Sequence, residues 1–208
     1  MIIRRLSPAD AAAYRRVRLR GLRENPEAFG SSYGEEARRP VKMFAGRLER
    51  TRATWAFGAF EGRRLVGVLS LIRAERRKER HKAEIVGMYV DPAARRKGIG
   101  RALLGRAVKT ARTLPGLRRV RIAVVESNRP ALRLYESEGF KIYAREEDAL
   151  LVRGMLYSML FLFRTLPGRG RSIHRIGRLG VPRRPPGSRA SRPIRQSSVP
   201  PQGAARGR

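Results

Sequence analysis

An amphipathic helix between two strand-like segments constrains the fold of this 208-residue chain more than any other feature. Apolar residues recur along the helix at a spacing of four, which places them on one face: Ile99, Leu103, Ala107 and Ala111. Pro115 and Gly116 predict its end near Thr113. Residues 83–90 before the helix and 119–125 after it are rich in β-branched and apolar residues. A strand–helix–strand unit of this kind predicts an α/β fold.

The other segments extend the same pattern. Further strands are predicted at residues 2–6, 54–60, 65–72, 140–144 and 150–163, and further helices begin near Ser7, Val41 and Asn128. The order βααβββαβαββ predicts a mixed α/β sheet domain and not a helical bundle. The apolar segment 155–163 is expected either to be buried inside the sheet or to form an edge for a homodimer.

Charge divides the chain into two parts. The sequence holds 48 Lys and Arg against 17 Asp and Glu, a net charge of +31, and every acidic residue lies before residue 149. Residues 164–208 contain 12 Arg, 7 Gly and 7 Pro but no Lys and no acidic residue, so they cannot bury enough apolar surface to offset chain entropy. We therefore expect a folded domain over residues 1–163 and a disordered basic tail over residues 164–208.

The residue composition excludes several kinds of chemistry. Cysteine is absent, which rules out disulfides, thiolate catalysis and cysteine-based zinc sites. Only His81 and His174 could supply imidazole, so no metal site is expected. The first residues lack the apolar region of a signal peptide, and no segment has the ~20 apolar residues of a membrane-spanning helix. These observations predict a cytoplasmic protein that does not contact membranes.

The loop before the central helix is suited to binding a phosphate group. It reads Arg-x-x-Gly-x-Gly from Arg95 to Gly100, and both glycines allow a close approach of the backbone to a ligand. The helix that follows presents unpaired N–H groups and the positive end of its dipole. Neither a Walker loop nor a dinucleotide-binding fingerprint is present. The loop therefore predicts a pyrophosphate site of another kind, although a basic turn that only caps the helix has the same sequence features.

Two sequence blocks resemble the GNAT superfamily of acetyl-CoA-dependent N-acetyltransferases. The first is residues 84–104, Glu-Ile-Val-Gly-Met-Tyr-Val-Asp-Pro-Ala-Ala-Arg-Arg-Lys-Gly-Ile-Gly-Arg-Ala-Leu-Leu. The second contains Val124, Asn128, Ala131, Leu134-Tyr135-Glu136 and Gly139-Phe140. Both blocks occur in the order and separation of the superfamily, and the resemblance covers residues 1–163. It implies the GNAT fold, an α/β domain with a mixed, mostly antiparallel central sheet flanked by helices, and acetyl-CoA as the co-substrate.

The resemblance assigns the cofactor-binding residues. The loop that would bind the CoA pyrophosphate consists of Arg95, Arg96, Lys97, Gly98, Ile99, Gly100 and Arg101. The backbone of Met88, Tyr89 and Val90 would pair with the pantetheine arm, and one N–H of this strand would face the thioester oxygen. Gly87 is a plausible site for a bulge that opens the strand. Asn128 would contact the cofactor arm, or would serve only as a helix N-cap.

The resemblance also implies two catalytic residues. Tyr135 matches the tyrosine near the thioester sulfur and would act as general acid on the leaving thiolate, unless it is only a core aromatic residue. Glu84 stands fourteen residues before the first loop glycine, where histone-type members carry a catalytic glutamate. It is the candidate general base; the alternatives are an ion pair with an Arg on the sheet and deprotonation through a water chain.

The acceptor amine is less well defined by the sequence. In this fold the N-terminal helices and their connection shape the acceptor site, and residues 27–36 contain three Glu beside Phe29 and Tyr33. Such a loop suits a cationic amine, although the favoured interpretation is a solvated acidic loop. Small-molecule acetylation is favoured, with acetylation of protein N-termini or lysines as one alternative. Another is a nucleic-acid-binding protein with little catalysis, in which the basic tail makes the contact.

Overall fold

Residues 1–167, which are the part of the chain described by the computed structural model, form a seven-stranded sheet with helices on both faces. The strands are β1 (Ile2–Arg5), β2 (Thr54–Glu61), β3 (Arg64–Arg73), β4 (Lys82–Val90), β5 (Arg119–Val125), β6 (Lys141–Val152) and β7 (Met155–Thr165). Their spatial order is β1-β2-β3-β4-β5-β7-β6. Only β4 and β5 are parallel neighbours, so the prediction of a mixed, mostly antiparallel sheet is confirmed.

Within residues 1–167, five α-helices connect and cover the strands. They are α1 (Ala11–Glu24), α2 (Tyr33–Ala37), α3 (Val41–Arg47), α4 (Ile99–Thr113) and α5 (Arg129–Ser137). The short helix α2 lies where the sequence predicted a loop, and a capping box forms it: Ser32 and Glu35 hydrogen-bond each other's backbone N–H groups. No helix within residues 1–167 is long and apolar enough to cross a lipid bilayer.

The two faces of the sheet carry separate apolar clusters. On one face, α4 and α5 pack on the sheet through residues such as Leu103, Leu104 and Ile85. On the other face, α1 and α3 pack through Tyr14 and Phe44, among others. The expected apolar stripe of α4 is therefore the side of the helix that faces the sheet, and all four of its residues are buried.

A bulge at Gly87 and Met88 changes the direction of β4. Val68 pairs with Tyr89 and Ser70 pairs with Val86, so two residues of β4 stand opposite one residue of β3. Gly87 has a φ of 63°, which glycine adopts at little cost. Because of the extra residue, Ile85 and Tyr89 lie on opposite faces of the sheet. The predicted distortion at Gly87 is confirmed.

Beyond the bulge, β4 and β5 separate. They are paired only from Lys82 to Ile85 on β4, opposite Arg119 to Ile122 on β5. The later residues of β5 pair with β7, and residues 86–90 of β4 have no partner strand on that side among the described residues. The separation opens a wedge in the middle of the sheet.

The C-terminal strands correct two sequence predictions. Residues 150–152 belong to β6 and not to the last strand, because the chain reverses at Arg153 and Gly154, which both have positive φ values. Segment 155–163 lies in β7 between β5 and β6, so the sheet edge is β6. Strand β7 continues to Thr165, past the expected domain end at residue 163. The rest of the predicted disordered tail, residues 168–208, lies outside the described residues.

Candidate active site

The wedge between β4 and β5 opens into a cavity of about 1430 Å³. Its walls are residues 84–90 of β4, residues 122–125 of β5, the N-termini of α4 and α5, and parts of α1, α3 and their connections. One end reaches the loop before α4 and the other reaches Arg18, Glu36 and Arg47. Apart from Lys97, every residue that the sequence analysis proposed for catalysis or cofactor binding lines this cavity.

At the N-terminus of α4, the cavity ends at several backbone N–H groups that have no hydrogen-bond acceptor among residues 1–167. Arg96 and Gly98 both have positive φ values, of 61° and 76°, and Gly98 is the N-cap residue of α4. The N–H groups of Lys97, Gly98, Ile99 and Gly100 have no hydrogen-bond acceptor among residues 1–167. Four such donors, together with the positive end of a 15-residue helix, form a site suited to an anion.

Gly100 keeps this end of the cavity open where three elements meet. A β-carbon at Gly100 would lie 3.2 Å from Leu134 Cδ2 on α5 and 3.2 Å from Met88 Cε on β4. Ile99 beside it is buried in the core, so only its backbone is available to a ligand. The two glycines thus serve different purposes. Gly98 allows the positive φ before the helix, and Gly100 lets a ligand approach the backbone closely.

Most of the basic side chains in this loop are held by other residues. Arg95 donates to the carbonyl oxygen of Val90 at 3.0 Å and to Asn25 Oδ1 at 3.2 Å. Lys97 forms an ion pair with Glu61 at 3.1 Å and lies outside the cavity lining.

Arg96 and Arg101 are the other two basic residues at this end of the cavity. Arg101 pairs with Glu138 at 3.0 Å. The side chain of Arg96 alone of the four has no hydrogen-bond partner within residues 1–167. The sequence analysis counted all four as pyrophosphate charges, whereas the structure gives three of them structural partners.

Tyr135 reaches the bulge from α5. It is buried, its ring lies 6.3 Å from that of Phe140, and its hydroxyl donates to Met88 Sδ at 3.7 Å. Burial raises the pKa of Tyr135 to about 12, so the phenol keeps its proton at neutral pH. The residue is therefore a core aromatic that also lines the cavity and keeps its hydroxyl near the bulge.

Glu84 lies on β4 before the bulge, half-buried and in the cavity lining. Its neighbour on β5 is Arg121, yet the two side chains form no ion pair, and Glu84 has none with any other of the described residues. Within the described residues, therefore, Glu84 does not form the ion pair with a sheet arginine that was the alternative to a role as base. A carboxylate at this point can accept a proton from a group in the cavity.

Asn128 and Tyr89 use their side chains for local structure. Asn128 Oδ1 accepts the N–H of Ala131 at 3.2 Å, which makes it the N-cap of α5, and the residue also lines the cavity. The hydroxyl of Tyr89 donates to Glu24 Oε2 at 2.5 Å, and burial together with this hydrogen bond raises the pKa of Tyr89. Tyr89 can therefore serve a cofactor through its backbone, as the sequence analysis assumed.

The end of the cavity at Arg18, Glu36 and Arg47 contains a buried ionic cluster that was not predicted from the sequence. Glu36 on α2 is 1% exposed and accepts hydrogen bonds from Arg18 on α1 and Arg47 on α3, at 3.2 Å and 3.0 Å. Burial opposes ionisation of this carboxyl, but the two guanidinium groups outweigh it and hold the pKa of Glu36 below its ordinary value.

The expectation of a solvated acidic loop is wrong for Glu36, which is buried, whereas Glu35 is exposed as such a loop requires. Glu36 neutralises arginine inside the protein, and Glu35 caps α2. Of the three predicted acidic residues only Glu27 lines the cavity without an ion pair among residues 1–167. The Ser-x-x-Glu capping signature at residues 32–35 was the sequence signal for α2. No local signal connects residues 18, 36 and 47.

Comparison with known proteins identifies the family. A family model described as "Acetyltransferase (GNAT) family" matches residues 20–140, more than half of the chain. The chain therefore belongs to the GNAT acetyltransferase family, whose acyl donor is acetyl-CoA. The free donors at α4, the open edge of β4 and the space at Gly100 fit that cofactor.

Individual relatives agree with this assignment. A Bacillus subtilis protein with the provisional name phosphinothricin acetyltransferase is 33% identical over 86 residues, which are 41% of this chain and 52% of that protein. The mycothiol acetyltransferase of Thermomonospora curvata is 49% identical over 61 residues, 29% of this chain and 20% of that protein. The chain thus spans about half of the first relative and a fifth of the second.

A solved structure shares the fold. It is a provisional acetyltransferase of Salmonella typhimurium, solved with its cofactor acetyl-CoA. The TM-score is 0.69 at 21% identity, and the match covers 83% of this chain and 97% of that one. At this identity the likeness concerns the fold.

Proposed function

We propose that the chain transfers the acetyl group of acetyl-CoA to the primary amine of a small molecule, by direct attack in a ternary complex. The observation that carries the proposal is the continuous cavity. It is lined by the N-terminus of α4, by the open edge of β4 and by the cluster of Arg18, Glu36 and Arg47, and we call the part at this cluster the acceptor chamber. A donor and an acceptor can therefore occupy the two ends at once.

The cofactor would be held mainly by backbone groups. The N–H groups from Lys97 to Gly100 are suited to the pyrophosphate, with Arg96 as the free basic side chain beside them and Arg95 and Arg101 bracing the loop. The unpaired edge of Met88, Tyr89 and Val90 is suited to the pantetheine arm, with Asn128 across the wedge. An N–H at the bulge would stabilise negative charge on the thioester oxygen.

Two side chains would move the protons. Glu84, which has no ion pair among the described residues, is positioned to accept a proton from the attacking ammonium. Tyr135 is positioned to donate one to the departing thiolate, since burial keeps it protonated. The amine nitrogen forms a bond to the acyl carbon, the bond from that carbon to sulfur breaks, and the thiolate takes the phenolic proton. The second proton, which the nitrogen loses on becoming an amide, restores the phenol.

Features of the acceptor end favour a small molecule. The chamber is bordered by the buried Phe29, the half-buried Ser31 and the buried Glu36 cluster, which leaves a lining of mixed polarity. The names of the two sequence relatives refer to phosphinothricin and mycothiol, which are small molecules and not proteins. Both points support a small-molecule amine over a protein lysine or N-terminus.

A thiol-release assay with the full chain tests the proposal. Acetyl-CoA would be presented with polyamines, amino acids, aminoglycosides and peptides with free N-termini, and the acetylated product identified by mass spectrometry. We expect acceptor-dependent thiol release with at least one small amine. Release with peptides alone would overturn the small-molecule assignment, and absence of both release and calorimetric acetyl-CoA binding would overturn the transferase assignment.

A further inference from the structure

The side chain of Arg18 extends from α1 to the bulge in β4. It is 9% exposed, its guanidinium carbon lies 4.6 Å from the ring centre of Phe29, and a β-carbon on Gly87 would lie 3.3 Å from its Nη1. A long flexible side chain is thereby fixed in one position at the wall of the cavity.

The hydrogen bonds of Arg18 leave one nitrogen free. Nε and Nη2 donate to the two carboxylate oxygens of Glu36, and Nη2 also donates to Ser31 Oγ. Nη1, the nitrogen beside Gly87, has no partner among residues 1–167. A guanidinium that is nine-tenths buried and keeps a free donor toward a cavity is prepared to bind an acceptor atom there.

The charge of the cluster points to an anion. Glu36 is the one carboxylate between two guanidinium groups, those of Arg18 and Arg47, so the cluster carries a net charge of about +1 in a largely buried position. Arg47 also lines the cavity and is 32% exposed, which leaves it accessible. A carboxylate bound against both guanidinium groups would balance the charge.

The same chamber also contains carboxylates. Glu27, Glu49 and Glu84 line the same cavity, and none of the three has an ion pair among the described residues. They suit an ammonium group, whereas Arg18 and Arg47 suit a carboxylate. A chamber with both kinds of charge fits a zwitterion better than a simple amine or a simple acid.

We infer that the acceptor is an α-amino acid whose carboxylate binds Arg18 Nη1 and Arg47, with Glu36 holding both guanidinium groups in place. The inference rests on the proposed function, in which the acyl group lies at the bulge. Because Nη1 lies beside Gly87, a carboxylate bound to it stands next to that bulge. The amine must then follow within a few bonds, as it does in an α-amino acid.

Matched acceptors test the inference. The rate of thiol release would be measured for the twenty common α-amino acids, and the best of them would be compared with its carboxamide, which lacks the negative charge but keeps the shape. We expect the free acid to exceed the carboxamide in kcat/KM by about tenfold to a hundredfold, the range for a charge-assisted contact. Equal rates, or acetylation only of amines without a carboxylate, would overturn the inference and leave the transferase assignment intact.

Variants test whether Arg18 and Arg47 cause the preference for the free acid over its carboxamide. Arg18→Gln should remove the preference for the free acid, about tenfold or more, with little change for the carboxamide or in calorimetric acetyl-CoA affinity. The control is Arg15→Gln, one turn earlier on α1; Arg15 donates to Ala37 O and does not line the cavity, so the preference should persist.

Arg47→Gln keeps the Arg18–Glu36 pair and should reduce the preference less, which provides a second test if Arg18→Gln does not fold. An undiminished preference in both Arg18→Gln and Arg47→Gln would overturn the assignment of these residues. If the wild-type chain does not bind acetyl-CoA, the proposed function itself is refuted.

Discussion

The two ends of the cavity are built in different ways. The cofactor end uses backbone N–H groups and two glycines within one stretch of chain, and most of its basic side chains are tied to neighbouring residues. The acceptor end uses side chains from three helices, joined by one buried carboxylate. Most substitutions leave backbone N–H groups in place. A side-chain cluster, in contrast, changes whenever one of its residues is replaced. We therefore expect the cofactor end to be robust and the acceptor end to determine specificity.

The largest effect is expected where a substitution fills the cofactor end. Gly98→Glu should reduce acetyl-CoA affinity by a few hundredfold or more. The new carboxylate opposes the pyrophosphate, and the loss of two charge-assisted hydrogen bonds costs about 3–6 kcal/mol. Isothermal calorimetry on the variant measures the loss.

Gly98→Asn separates charge from backbone strain. Asparagine tolerates the positive φ of 76° better than most residues, and no atom lies within 4 Å of a β-carbon at Gly98. Gly98→Asn should therefore retain most of the affinity that Gly98→Glu loses. Unchanged affinity in Gly98→Glu would refute the assignment of this loop to the pyrophosphate.

At the acceptor end the largest expected effect is on stability. Glu36→Gln should lower the free energy of unfolding by about 3 kcal/mol, because it leaves two guanidinium groups without their carboxylate in a largely buried position. Chemical denaturation measures the loss. Acetyl-CoA affinity of the folded variant should remain unchanged, and a parallel loss of affinity would contradict the separation of the two ends.

The pH dependence of the free energy of unfolding provides a control for the prediction on Glu36→Gln. The pKa of Glu36 is lowered in the folded protein, so its contribution to stability is present above the ordinary glutamate pKa and is lost as the pH falls below it. The stability difference between wild type and Glu36→Gln should thus shrink below about pH 4.5, the ordinary value. A difference that stays constant to lower pH would contradict an ionised Glu36.

Between the two ends, Tyr135→Phe should lower turnover by about a hundredfold, within the range for general acid–base groups. The phenylalanine keeps the packing against Phe140 but removes the hydroxyl that faces Met88, so acetyl-CoA affinity should change little. Tyr143→Phe is the control, because Tyr143 is half exposed on β6. An unaltered turnover number in Tyr135→Phe would reject the acid role.

The same contrast explains what could be predicted from sequence. Gly98 and Gly100 lie two residues apart and act through local conformation, so the cofactor end is visible in the order of residues. Arg18, Glu36 and Arg47 meet only after three helices pack, and each alone resembles a surface charge. The reversal at Arg153 and Gly154 was missed because Arg is not the usual residue with positive φ in a hairpin turn.

The smallest effect is expected for the side chain of Lys97, although this residue lies in the loop predicted to bind the pyrophosphate. Lys97→Ala should change acetyl-CoA affinity less than about twofold, because its ammonium group pairs with Glu61 and stands outside the cavity lining. Arg96→Ala, one residue earlier, should weaken binding more, since that guanidinium has no partner among residues 1–167. Calorimetry at two salt concentrations would compare the variants, and the Arg96 effect should be the more salt-sensitive one. A larger loss in Lys97→Ala than in Arg96→Ala would show that side-chain charge at Lys97, and not the backbone, binds the cofactor at this end.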